Sequence, residues 1–170
     1  MKAQVHMELR DIASGKLLES RHAKNTVMQS GAMLVAELFS GRGGRITHMG
    51  VGTNDGTPDD ISIVELRNEP VGENPALTGE LMAPISTDNF QFEVNAVKRL
   101  VQVRVRATLP SDAAVGMVRE AGLISQQAPE GEGEPANVLY NRVTFAPIDK
   151  KDDHELTLFW EVEFPFGDLH

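Results

Sequence analysis

The sequence contains no cysteine in its 170 residues. Disulfides, thiolate metal sites, iron–sulfur clusters and cysteine nucleophiles are therefore excluded together. Aromatic residues are scarce, with one Trp, one Tyr and seven Phe, so few rings are available to stack on sugars or bases. No apolar run approaches the ~20 residues that a bilayer-spanning helix needs. The opening Met1-Lys2-Ala3-Gln4-Val5-His6 lacks the apolar core of a secretory signal, and assembly in the cytosol is the expectation. Basic residues are in deficit, 16 against 25 acidic, for a net charge of -9. That balance argues against a general nucleic-acid binder, whose affinity depends on cations facing phosphates. What is present is a globular composition, 41% hydrophobic and 24% charged. This length fits one domain, 1–170, that buries roughly 70% of its unfolded surface.

Strand periodicity dominates. Val5, Met7 and Leu9 alternate with polar neighbours, the two-residue period of a half-buried strand. A turn at Asp11-Ile12-Ala13-Ser14-Gly15 leads into a polar return strand from Lys16 to Val27. Residues 1–27 thus read as a hairpin, either a sheet edge or an arm covered by a neighbouring subunit. From Met28 to Phe39 the period changes to helical, with Leu34, Val35, Leu38 and Phe39 on one face, Ser30 as N-cap and Gly41 just past the end. Ile46 to Gly52 reads as a short strand, residues 61–66 as a short helix or a docked loop, and residues 68–74 as loop. Three long alternations follow: Phe90, Phe92, Val94 and Ala96; Val101 to Leu109; and Leu156 to Phe164. Each apolar set is expected to face inward. Met117 to Ile124 and Val138 to Phe145 add two strands, separated by a Glu, Gly and Pro-rich segment, 126–136, expected to be a flexible acidic loop. The fold class is mainly β: an antiparallel two-layer β-sandwich with one long helix near residues 29–40.

Catalytic and metal motifs are few. His6, His22, His48, His154 and His170 share no metal-ligand spacing, and His6 and His154 are expected to be solvated. Gly50-Val51-Gly52-Thr53-Asn54-Asp55-Gly56 has the wrong spacing for a dinucleotide loop and lacks the Gly-Lys-Ser/Thr of a phosphate loop. The calcium-loop alignment fails at Val51 and Ser62. A looser calcium site would draw on Asp55, Asp59 and Asp60, residues that equally form solvated turns. No Gly-x-Ser-x-Gly occurs. Glu161 and Glu163 share a strand face as glycosidase carboxylates would, but are expected to oppose Arg104 and Arg106 across neighbouring strands. The Lys98, Arg99, Arg104 and Arg106 cluster lacks interleaved aromatics for nucleic-acid binding. The expectation is a protein that is not an enzyme, with no cofactor and no resident metal.

The order of short motifs carries more information. Ser14-Gly15-Lys16 is followed by Lys24-Asn25-Thr26-Val27, then by the helix-bearing Gly31-Ala32-Met33-Leu34-Val35-Ala36-Glu37-Leu38-Phe39-Ser40-Gly41. Next come Ile46-Thr47-His48-Met49-Gly50-Val51-Gly52-Thr53-Asn54, Pro58-Asp59-Asp60 and Glu65. Val118-Arg119-Glu120-Ala121-Gly122-Leu123-Ile124, Leu139-Tyr140-Asn141-Arg142-Val143-Thr144-Phe145 and Leu156-Thr157-Leu158-Phe159-Trp160-Glu161-Val162 complete the series. This layout, over residues 15–164, resembles structural proteins of tailed bacteriophages and contractile injection systems, especially the N-terminal attachment domains of tail-collar and tail-fibre proteins. The resemblance implies a non-enzymatic β-rich assembly domain within a virion or injection particle, often a trimer or higher ring. It would dock to copies of itself and to neighbouring tail, baseplate or capsid proteins. The sequence ends at His170 without a shaft or receptor-binding region, so a collar, baseplate, fibre-adaptor or capsid-decoration role is expected. A second reading is a carbohydrate-binding sandwich using exposed Phe159 and Tyr140 with Asp55, Asp59 and Asp60. A third is a hydrolase using Glu161 and Glu163.

The acidity is local. Residues 52–80 hold seven acids against one base, a net of -6, and residues 128–136 add three acids, so these two segments account for the whole -9. The rest is a neutral scaffold, and the acidic loops could steer a basic partner. The residues expected at an interface are Arg21, His22, Lys24 and Asn25 of the hairpin, and Asp59, Asp60, Glu65 and Arg67 of the loop.

Overall fold

The computed structural model describes residues 3–129 and 131–167. Among the described residues, strands make up 52% and helices 9%, in two antiparallel sheets with a single α-helix, consistent with a β-sandwich. In chain order the elements are β1 (Ala3–Asp11), β2 (Leu17–Lys24), β3 (Thr26–Val27), α1 (Gln29–Phe39), β4 (His48–Gly52), β5 (Met82–Pro84), a 3₁₀ turn (Thr87–Asn89), β6 (Phe90–Asn95), β7 (Leu100–Leu109), β8 (Gly116–Gln127), β9 (Ala136–Leu139), β10 (Asn141–Lys150) and β11 (His154–Pro165). The first sheet has the order β2-β1-β11-β7-β6, and the second β3-β10-β8-β4-β5, with β9 also on β8.

Strand periodicity explains the main core. Val5, Met7 and Leu9 of β1, Leu156, Leu158, Trp160 and Val162 of β11, and Val105, Ala107 and Leu109 of β7 turn one face of the first sheet inward. They meet Met49 and Val51 of β4, Ala121 and Leu123 of β8, and Val143 and Ile148 of β10. The opposite face of the second sheet carries a smaller apolar cluster: Met28, Ile124 and Leu139, packed against Ile63, Leu66 and Met82. Residues 53–74 and the start of α1 thus lie over the outside of that sheet.

Several local expectations are corrected. The return strand does not run unbroken to Val27: β2 ends at Lys24, and after Asn25 the chain crosses to the second sheet as β3, which pairs with Asn141 and Arg142. Ser30 is not the N-cap. Met28 takes that position with no side-chain cap, and the Ser30 hydroxyl donates instead to the Leu139 carbonyl at 2.6 Å. The helix buries Gly31 and Leu34, whereas Leu38 and Phe39 are exposed, Phe39 at 92%. Its contact stripe is narrow because it docks by its first turns. The helix C-terminus ends as expected: Gly41 has φ +74°, and Gly41 and Arg42 donate to the Leu38 and Glu37 carbonyls at 3.2 and 2.9 Å, the pair of hydrogen bonds of a Schellman motif. Residues 61–66 form a docked loop without a helix. The strand expected over Val138 to Phe145 is two strands broken at Tyr140, where the Asn141 side-chain oxygen accepts the Leu123 N–H at 2.9 Å. Of the segment 126–136, Gln126 and Gln127 extend β8 and Ala136 opens β9, and Glu130 lies outside the described residues.

The largest correction concerns β6. Phe92 and Val94 were expected to face the core, yet they are 73% and 68% exposed. Among the described residues β6 pairs only with β7 and sits at the end of its sheet. Its apolar face projects beyond the second sheet, which ends at the three-residue β5.

Lys150 is a buried charge that periodicity does not announce. Its Nζ donates to the carbonyls of Pro110, Ala113 and Ser111 at 2.7, 2.6 and 3.2 Å, tying the β7–β8 connection to the end of β10. Loss of hydration lowers its pKa from the ordinary lysine value, against the raising effect of Asp112 and Asp152. Lys150→Met leaves the buried Ala113 carbonyl and the part-buried Pro110 and Ser111 carbonyls without that donor, and a loss of about 2–4 kcal/mol is expected in urea unfolding.

Candidate docking face

The acidic segment 53–74 is a built structure. Its foundation is an ion pair on the outer face of the second sheet, between Glu120 of β8 and Arg142 of β10, whose side chains are both 0% exposed. Arg142 Nε donates to Glu120 Oε2 at 2.7 Å. Its other nitrogens donate to the carbonyls of Thr57 and Asn54 at 2.6 and 2.7 Å. Glu120 Oε1 accepts the Arg67 backbone N–H at 2.8 Å. One guanidinium thus holds the outgoing limb of the loop, and its carboxylate partner holds the returning limb. The planar fork of arginine suits this use, because it satisfies three acceptors at fixed angles.

Short contacts complete the lock. Thr53 N–H donates to the Arg67 carbonyl at 2.8 Å, and the Thr53 hydroxyl donates to the Glu69 carbonyl at 2.6 Å while accepting the Glu69 N–H at 2.9 Å. Asn68 mimics a backbone partner for Leu77, donating to its carbonyl at 2.9 Å and accepting its N–H at 2.7 Å. Gly52 is required for closeness: a Cβ there would stand 2.4 Å from Glu120 Oε1 and 2.5 Å from the Arg67 carbonyl.

The residues displayed by this frame are mixed. Ile61 and Val64 are 54% and 64% exposed, and Asp59, Glu65 and Arg67 are exposed beside them in sequence. The Ile61 carbonyl accepts the Gln29 N–H at 3.1 Å, joining the loop to α1. Met33, one helical turn beyond Gln29, is 59% exposed. Beneath the loop lies a cleft of about 760 Å³ bordered by Val64, Glu65, Glu80 and Met82. The structure does not assemble the calcium trio. Asp55 pairs with Arg119 at 3.1 Å, and Asp60 accepts the Ser62 N–H and hydroxyl at 2.9 and 2.6 Å. Those bonds from Ser62 lower the Asp60 pKa. Among the described residues no three His, Asp or Glu side chains form a group able to hold a metal.

The hairpin residues divide between two faces. On β2, Glu19, Arg21 and Ala23 turn toward the sandwich, and Arg21 is ion-paired with Glu19 and donates to the Pro147 carbonyl. His22 and Lys24 are exposed on the outer face, and the half-buried Asn25 side-chain amide has no hydrogen-bond partner among the described residues. His22 stacks on His6 with ring centroids 4.2 Å apart, and His6 stacks on Phe159 at 5.8 Å. His6 is therefore set within an ordered row, not freely solvated. Its Nε2 lies 3.0 Å from Glu8 Oε1, and Arg10 donates twice to Glu8 Oε2 at 2.8 and 3.2 Å. The His6 hydrogen bond and then that of Arg10 lower the Glu8 pKa below its ordinary 4.5. The stability that Glu8 contributes is complete above about pH 4.5 and is lost as pH falls through its lowered folded value. Glu8→Gln should therefore flatten the acid limb of a melting-temperature profile below about pH 4.5.

Three further placements follow. Tyr140 was expected to be exposed as a sugar platform, but it is 4% exposed, and burial raises its pKa to about 12. Phe159 remains 37% exposed, with the Arg106 guanidinium 5.9 Å from its ring centroid. Glu161 opposes Arg104 as expected, at 3.6 Å, whereas Glu163 opposes Gln102 and Arg106 opposes Phe159. Sequence reasoning missed Glu120, Arg142 and Lys150, since charged residues default to the surface. No local pattern marks the pair, because its two members stand twenty-two residues apart on separate strands.

These features define a two-layer antiparallel β-sandwich with a pinned acidic loop. No protein family, curated protein or solved structure matches the chain. Among the described residues no helix is long and apolar enough to cross a membrane.

Proposed function

We propose that this chain is a non-enzymatic assembly subunit of a phage particle or phage-tail-like injection machine, in a collar, baseplate, fibre-adaptor or capsid-decoration position. It binds copies of itself and neighbouring particle proteins, and is assembled in the bacterial cytoplasm. The observation that supports this reading most is the Glu120–Arg142 lock, which devotes a fully buried ion pair to fixing a loop that presents Ile61 and Val64 among carboxylates. A loop held rigid before binding loses little entropy when a partner covers it. Its apolar side chains supply contact area, and the acids attract a basic partner in a salt-sensitive way.

Mass spectrometry of particles purified from cells that carry this gene tests the reading. The chain should be present, and its absence from intact particles overturns the proposal. Ile61→Ser with Val64→Ser should leave folding within about 0.5 kcal/mol, since both side chains are exposed, while lowering incorporation roughly tenfold. Unchanged incorporation would move the docking face elsewhere on the surface.

A further inference from the structure

We propose that β6 is a self-pairing edge, at which two copies join antiparallel strands and continue the first sheet across a two-fold axis. The inference deepens the assembly reading, on which it rests, by naming the partner at a surface separate from the acidic loop. Exposed sheet edges invite pairing with other chains, and proteins usually guard them with short strands, proline or inward-facing charge. The other edges here are guarded. β3 has two residues, β5 has three and includes Pro84, β9 has four with its Leu139 carbonyl taken by Ser30 of α1, and β2 turns the Glu19–Arg21 pair inward. β6 is six residues long with no proline and no lysine, and its core-side residues are Phe90, Phe92 and Val94. Phe92 and Val94 lie open, joined at the same end of the sandwich by Val97 at 96% and Phe166 at 42% exposed.

The sequence of β6 also selects a register. Strand faces alternate, so residues that share a face must oppose one another. Placing Phe92 opposite Phe92 of the second copy sets Phe90 opposite Val94 and Gln91 opposite Glu93, so apolar meets apolar and carboxylate meets amide. Sliding by two residues one way would set Glu93 against Glu93, a like-charge pair, and sliding the other way would set Val94 opposite Asp88 and leave β6 residues paired only over Phe90 to Phe92. The favoured register also brings Asp88, just before β6 in one copy, toward the end of the strand where the other carries exposed Lys98 and Arg99. Pairing of β6 with β2 of another copy would build open filaments or rings, and the inward charges of β2 oppose it. The geometry therefore favours a two-fold pair over the trimer or higher ring expected from sequence resemblance.

The cysteine-free chain makes the test clean. Gln91→Cys protein mixed with Glu93→Cys protein should form a disulfide-linked dimer on oxidation, because these positions oppose each other in the favoured register. Each variant alone should remain unlinked, its own Cα atoms lying beyond the ~7 Å limit for a disulfide. Light scattering of the unmodified chain should report a dimer, and Phe92→Lys should weaken it about a hundredfold with an unchanged circular dichroism spectrum. A monomer at all concentrations, a trimer, or equal crosslinking of all mixtures overturns the proposal. A dimer that is absent from purified particles would leave the β6 interface standing and remove the assembly role.

Discussion

Arg142→Met is expected to destabilise the protein by about 3–5 kcal/mol, the usual cost of removing one partner from a fully buried pair. The loss arises from what is left behind. Glu120 keeps a buried carboxylate with only the Arg67 N–H facing it, and the carbonyls of Asn54 and Thr57 lose their donor. For a domain of this size the loss corresponds to roughly 6–20 °C in melting temperature. Urea unfolding with linear extrapolation measures it. The position of the damage is diagnostic as well. The amide of Arg67 should exchange faster than amides of the β1–β11 ladder, because local opening of the loop precedes global unfolding. Arg142→Lys should recover only part of the loss, since an ammonium lacks the planar fork that reaches three acceptors. Glu120→Leu combined with Arg142→Met removes the lone charge and should recover more, while loop exchange stays fast. A loss under about 1 kcal/mol in Arg142→Met would show that the loop is held by other contacts.

Gly31→Ala should destabilise by about 2–4 kcal/mol, although the same change in an exposed helix stabilises by roughly 1 kcal/mol. A Cβ at Gly31 would lie 2.0 Å from the Tyr140 carbonyl oxygen and 2.7 Å from its carbon. Both are backbone atoms and cannot rotate aside. The helix would have to lift, breaking the Met28 N–H bond to Tyr140 at 3.0 Å and the Ser30 hydroxyl bond to Leu139 at 2.6 Å. Tyr140 reports the event directly, being the sole tyrosine. Burial raises its pKa to about 12 in the native protein, so its contribution to stability is complete below about pH 10 and is lost as pH rises toward the folded value. Spectrophotometric titration of Gly31→Ala should show ionisation nearer the ordinary value of about 10. Titration still near the native value in a fully stable variant would refute the close-docking argument.

Much of the architecture was legible because period two is a local signal. Val5, Met7 and Leu9, and Leu156 to Val162, are buried as their alternation implies. The Ser40-Gly41 stop was legible for the same reason: a left-handed residue at a helix end needs glycine whatever surrounds it. The same alternation misled at β6, where it correctly gave a strand with an apolar face and could not show that no second layer covers it. It also misled at α1, where helical periodicity assigned Leu38 and Phe39 to the packed stripe although the sheet meets only the first turns.

The charged residues divide in the same way. Composition placed the acidity in residues 52–80 and 128–136, with no disulfide or thiolate site available, and those conclusions need no coordinates. Which charges carry structure was decided by tertiary contacts alone. Glu120 and Arg142 are twenty-two residues apart, and Arg142 holds carbonyls eighty-five and eighty-eight residues away. No local rule relates those positions. The sequence by itself determined that strands form, which faces are apolar and where the net charge lies, because propensity and periodicity act between near neighbours. Only the tertiary structure decided which apolar faces are covered and which charges are buried, because burial depends on what packs above a residue from elsewhere in the chain.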